Sequence, residues 1–176
     1  ATSTNGLSWT VTNLPTLQNC DWVDICYATE LHKFYIISCY SNKIVTSPDG
    51  ITWTLQDLPS TDSWYKICWS SELHQLCIIT QNTKIALSTD GITWTEHNLP
   101  MSMNYGRASC WSSNLQAYCL FPHDNNKMLL SQTGTTWTVK TLPITGKWSI
   151  ACEALELNRF AVFAYEGDKM LNGKLE

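Results

Sequence analysis

The sequence has little charge. Asp, Glu, Lys and Arg make up 15% of its 176 residues, and only Arg107 and Arg159 are arginines. The net charge is −4, from 15 acidic and 11 basic side chains, and the lysines stand singly along the chain. Neutralising nucleic-acid phosphates takes a clustered positive face, so a nucleic-acid partner is not expected. Long apolar runs are missing as well. None approaches the ~20 residues of a membrane helix, so no membrane partner is expected either. No basic segment leads into an apolar one at the N-terminus, as it would in a secretory signal, although a mature secreted chain would lack one too. Sustained helical periodicity with caps is absent. The final Leu175-Glu176 reads as a cloning remnant and is left out of the fold reasoning.

What the chain has is aromatic side chains (nine Trp and seven Tyr), eight Cys, and many neutral Ser, Thr and Asn. It also has a repeat. Ser47-Pro48-Asp49-Gly50-Ile51-Thr52-Trp53-Thr54 returns as Ser88-Thr89-Asp90-Gly91-Ile92-Thr93-Trp94-Thr95. Looser copies run Ser131 to Thr138 around Gly134, and Ser3 to Thr10 around Gly6. Leu-Pro follows each copy, at Leu14-Pro15, Leu58-Pro59, Leu99-Pro100 and Leu142-Pro143. Cys26, Cys68, Cys110 and Cys152 recur every 42 residues, and so do Leu31, Leu73, Leu115 and Leu157.

Each unit holds four strand signals. Strand A is the Trp-x-x-x-Cys segment, strand B an apolar run, and strand C a Lys-led apolar run that includes Lys169-Met170-Leu171 in the last unit. An Asp-Gly turn opens strand D, because both turn positions favour positive φ. Proline ends D by removing a donor. Tandem four-stranded units of this length indicate a β-propeller. The chain starts with an orphan D, runs ABCD three times and ends with ABC. The expected fold is therefore all-β, one four-bladed propeller domain over 1–176. Blades lie at 22–58, 64–99 and 106–142, and strand 3–14 completes the blade formed by 148–171. Closure of this kind protects a free strand edge. A monomer is expected, and the alternative is two copies building an eight-bladed ring.

The motif resembles the Asp-box of bacterial neuraminidase repeats, Ser-x-Asp-x-Gly-x-Thr-Trp, with one residue missing between Asp and Gly. With Trp-x-x-x-Cys-Trp upstream, it is also similar to repeats of uncharacterised propeller-like proteins of phages, giant viruses and environmental sequences. In that family the carboxylate ties the turn amides and the Trp packs between sheets. The resemblance gives those structural roles to Asp49, Asp90, Trp9, Trp53, Trp94 and Trp137, with Asn5 and Thr133 in place of Asp in the other copies. A sialidase reading fails here. Sialidases use three arginines, a Tyr–Glu nucleophile pair and six blades, and this chain has two arginines.

Other chemistry is thin. The acids are scattered, whereas a glycosidase needs two facing across a cleft. Four repeat-equivalent cysteines ringing an axis would make a zinc site, but Cys also serves as a small hydrophobe in a packed inner strand, and no Cys-x-x-Cys spacing is present. Folding strand A onto B places Cys68 opposite Cys77 and Cys110 opposite Cys119. The equivalent partners of Cys26 and Cys152 are Tyr35 and Ala161, and free thiols are expected. His32 and His74 share a turn position with Gln116 and Asn158, and His97 and His123 are isolated. No enzyme activity, metal or cofactor is expected.

The remaining aromatics are Trp22, Trp64 and Trp148, which open strand A, and Trp69 and Trp111, which close it. Aromatic faces rimmed by amides and hydroxyls suit sugar recognition, and packing between blades calls for the same side chains. The functional expectation is a non-enzymatic, lectin-like module that binds a glycan or host-surface receptor through these tryptophans at a virion or extracellular surface. The alternative is a structural or protein-interaction propeller without glycan binding.

Overall fold

A computed structural model describes residues 1–16, 21–165 and 170–174. The protein is an all-β, four-bladed β-propeller. The first blade joins β1 (Asp21–Ala28), β2 (Lys33–Cys39), β3 (Ser41–Ser47) and β4 (Thr54–Asp62) in sequential antiparallel order. The second joins β5 (Trp64–Ser70), β6 (Gln75–Thr80), β7 (Lys84–Ser88) and β8 (Thr95–Asn98). The third joins β9 (Ala108–Ser112), β10 (Ala117–Phe121), β11 (Asn125–Ser131) and β12 (Thr138–Gly146). The last contains β13 (Trp148–Ala154), β14 (Arg159–Ala164) and β15 (Met170–Lys174). Of its expected third strand, Lys169 lies outside the described residues.

Local chemistry builds the same turns in every blade. In all four motif copies the Gly N–H donates to the Ser hydroxyl at 2.8 Å. Asp49 Oδ1 also accepts from the Ile51 and Thr52 amides, and Asp90 Oδ1 from Ile92 and Thr93. Asn5 Oδ1 accepts from Leu7 and Ser8, and Thr133 Oγ1 makes the longer equivalents to Thr135 and Thr136. The motif glycines have φ between 69° and 79°, a conformation that strains any side chain. A Cβ at Gly91 would also meet the Tyr35 hydroxyl at 2.1 Å. The A–B turn repeats just as closely. His32, His74, Gln116 and Asn158 are all left-handed, with φ of 46–51°.

Three apolar clusters hold the blades together. The first packs Tyr35, Ile37 and Ile44 against Ile67, Leu76 and Ile78, with Trp94 beside them. The second packs Cys77, Ile79 and Leu87 against Tyr118, Leu120 and Leu129, with Trp137 alongside. The third packs Cys119 and Phe121 against Phe160, Val162 and Ala164. Strand period two separates the two faces of each blade. One face looks to the next blade and carries the repeat cysteines, and the other looks to the preceding blade. Polar latches add to the junctions. The Trp69 indole donates to Glu30 Oε2 at 2.8 Å, and Glu153 accepts from the Ser113 amide at 2.9 Å.

The cysteines fall in the predicted register, Cys68 opposite Cys77 and Cys110 opposite Cys119. Cys26, Cys68, Cys77, Cys110, Cys119 and Cys152 are free thiols, and Cys20 lies outside the described residues. Burial, reinforced by Asp24, raises the Cys26 thiol to about 12. Hydrogen bonding to Cys77 and burial raise Cys68 too. These groups stay neutral and unreactive, packing as small hydrophobes.

Candidate ligand-binding site

Tryptophan opens strand A in three of the four blades, and the blade that Gly106 opens instead forms the site. Trp22, Trp64 and Trp148 each stand next to a register shift in the A–B ladder. Before Trp64 and Trp148, the preceding D strands β4 and β12 run on to Asp62 and Gly146. In the third blade the equivalent residue is Gly106, and the preceding strand β8 stops at Asn98.

Gly106 admits no side chain. A Cβ there would meet the Phe121 carbonyl at 2.7 Å and the Met103 carbonyl at 2.8 Å. Buried Met103 supplies the apolar volume instead. Its backbone is pinned, with the Met103 amide donating to the Asn82 carbonyl at 2.6 Å and His123 N–H donating to the Met103 carbonyl at 2.9 Å. The chain must then reverse quickly to reach β9. It does so through left-handed Asn104 and Tyr105, φ 47° and 64°. Asn tolerates that region, whereas Tyr is strained in it. The reversal thrusts the Tyr105 ring into solvent.

Tyr105 borders a cleft of about 400 Å³, lined also by Arg107, His123, Trp148, Ser149 and Tyr165. The Arg107 guanidinium lies over the Tyr65 ring, 4.5 Å from its centroid. His123 stacks on Tyr165 with centroids 6.4 Å apart, and its Nδ1 is 3.5 Å from Asp124 Oδ2. Asn104 Nδ2 donates to the His123 carbonyl at 3.2 Å, tying the two loops together. Two exposed phenol rings, a fixed cation, an imidazole and a hydroxyl thus share one hollow. Such a set stacks on flat apolar faces and binds polar or anionic substituents.

The tryptophans singled out from the sequence lie mostly elsewhere. Trp64 and Trp148 are fully buried, donating their indole N–H to the Ser60 and Asn125 carbonyls at 3.1 and 2.9 Å. A large flat side chain is what the bulged start of strand A needs to fill its blade, so Trp64 has no face left for a ligand. Trp148 reaches the cleft only as part of its wall. Trp69 is engaged in the latch to Glu30. Trp111 is half-buried and packs edge-on to Tyr118, centroids 4.9 Å apart. Trp22 is half-buried. Among the motif tryptophans, Trp94 and Trp137 pack at blade junctions, Trp53 lies 6.5 Å from Phe34, and Trp9 is exposed. Among the described residues no three His, Cys, Asp or Glu side chains gather as a cation site.

The cleft residues carry a sequence signal that is easy to pass over. Gly106 breaks the repeat, the segment from Pro100 to Gly106 is one residue longer than those from Pro59 to Trp64 and Pro143 to Trp148, and Arg107 is one of only two arginines. Nothing in the sequence indicates that Tyr165, from the last blade, joins them.

No protein-family model matches the sequence, and no curated protein aligns with it significantly. Solved structures show the fold. Virginiamycin B lyase from Staphylococcus aureus is similar with a TM-score of 0.70 at 16% identity, over 92% of this chain and 58% of that one. YCF48 from Cyanidioschyzon merolae gives 0.67 at 12% identity, over 90% and 54%. A nidogen/laminin complex gives 0.67 at 10% identity, over 86% and 58%. The chain spans a little over half the length of these propellers. They include an enzyme as well as proteins that bind peptides or protein partners.

Proposed function

We propose that this protein is a non-enzymatic binding module and that the cleft beside Tyr105 takes a carbohydrate bearing an anionic group, at a virion or extracellular surface. One observation carries the reading. Gly106 replaces the Trp that opens strand A in the other three blades, and the loop before it exposes a strained tyrosine next to Arg107. Strain kept at a solvent-facing side chain points to use of that side chain. Tyr105 and Tyr165 offer pyranose-stacking faces, and Arg107 faces a carboxylate or sulfate. The lectin-like role assigned from the sequence to strand A tryptophans thus moves to the loop beside Trp148.

A glycan-array screen of labelled protein, with Tyr105→Ala and Arg107→Gln alongside, tests this. Binding to a related group of acidic sugars, lost in Tyr105→Ala and weakened at least tenfold in Arg107→Gln, is expected; one charge-assisted contact is worth about 1.5–3 kcal/mol. Sugar binding that both variants retain would place the site elsewhere.

The second reading is a protein-interaction propeller. It is supported by one neighbour, YCF48, having been solved bound to a peptide, and by the exposed apolar side chains Ile25, Ile150 and Phe163 on the terminal blades. It predicts no sugar binding and capture of a peptide partner that is insensitive to Arg107→Gln.

A further inference from the structure

Among the described residues, the first and last blades end in faces that a neighbouring blade covers at the internal junctions. At the position of Ile37, Ile79 and Phe121, all at most 1% exposed, the last blade carries Phe163, 45% exposed. Ile150 and Met170 on the same face are 62% and 57% exposed, and Cys152 is open too. The opposite face of the first blade exposes Ile25 and Tyr27, where the next blade buries Ile67 and half-buries Trp69. These two faces are the halves of the junction that the chain builds three times internally.

The N-terminal motif is likewise built but unseated. Its turn is complete, yet nothing lies within 4 Å of a Cβ placed on Gly6. The equivalent points at Gly91 and Gly134 press on Tyr35 and Leu87 of the preceding blade. Trp94 and Trp137 pack into junctions beside Leu31 and Leu73, while Trp9 is 62% exposed. The third junction has a vacant seat to match. A hollow of about 310 Å³ lies between the third and last blades, lined by Leu115, Met128, Leu130, Phe160, Val162 and Leu171. Leu115 is the repeat counterpart of Leu31 and Leu73. β15 borders that hollow as a free edge among the described strands. The N-terminal segment instead folds on itself through the Thr2–Thr10 bridge and rests by Phe34, Asp49 and Ile51 of its own first blade.

We infer that two copies of this chain close one ring of eight blades, each laying its first blade on the other's last blade and donating its strand 3–14 as that blade's fourth strand. Head-to-tail contact places Trp9 in the Leu115–Leu171 hollow, Gly6 against Leu130, and Tyr27 of one copy by Glu156 of the other, the site corresponding to the Trp69–Glu30 latch. Each free edge becomes paired, and closed two-fold symmetry stops growth at two.

Sedimentation velocity of the full chain tests this. The expected mass is twice 20.0 kDa. Ile25→Glu and Phe163→Glu, one in each half of the junction, should each give a folded monomer by circular dichroism. Mixing the two variants should restore a dimer, because one of its two junctions is then unsubstituted. A 20.0 kDa species at every concentration, a dimer that survives both substitutions, or open-ended polymers would overturn the inference.

Discussion

At the scale of residues, the repeat turns are held by acceptors, and charge enters only where Asp supplies them. Amides of Thr52 and Ile51 pull Asp49 from an ordinary 3.8 to about 2, and amides of Ile92 and Thr93 do the same to Asp90. The folded state therefore releases these protons more readily than the unfolded chain. Their contribution is complete above about pH 4 and is lost as pH falls toward about 2. The double variant Asp49→Asn/Asp90→Asn keeps the acceptor, as Asn5 does. Urea midpoints should show it less stable than the parent at pH 7, with the gap closing near about pH 2.5; a constant gap would remove these carboxylates from the acid response. Gly91→Ala meets both the left-handed φ and the Tyr35 ring, and should cost about 2–3 kcal/mol. Gly6→Ala, with the same φ and open space in the single chain, should cost about 1 kcal/mol by urea unfolding in the monomeric Phe163→Glu background.

At the scale of elements, what was legible in the sequence is what local chemistry repeats. Asp-Gly turns, Leu-Pro stops and period-two strands are set within a few residues, so the A–B register and the Cys68–Cys77 opposition could be read directly. The role of Trp64 and Trp148 could not, because packing between blades and stacking on a sugar ask for the same side chain. The 99–107 loop was still less legible. Its path depends on Met103 filling a volume that tryptophan fills elsewhere, a contact between residues of different strands. This loop makes a prediction of its own. Tyr105→Asn suits the left-handed backbone and should raise stability by about 0.5–1 kcal/mol in thermal unfolding while abolishing glycan binding. A variant that loses stability would show that the Tyr105 ring is a packing residue. Strand β15 offers a second check. Its amides should exchange slowly in the full chain and quickly after removal of residues 1–14, and equal rates would mean that strand 3–14 does not cover this edge.

At the scale of the whole molecule, three internal junctions, the third with a vacant seat, and two bare end faces describe a chain that is internally regular and complementary to itself. The regularity made the fold class plain from the repeat alone. The count of four blades in the chain was plain as well, whereas the pairing of two chains was not, since it depends on small angles between blades that no local motif encodes. The ring also bears on binding, for two Tyr105 clefts on one particle would act together, converting weak single-site affinity into avidity. Small-angle X-ray scattering of the full chain addresses this account most directly. The account predicts a flat ring with a central channel and a mass twice 20.0 kDa. A compact 20.0 kDa particle without a channel would contradict it.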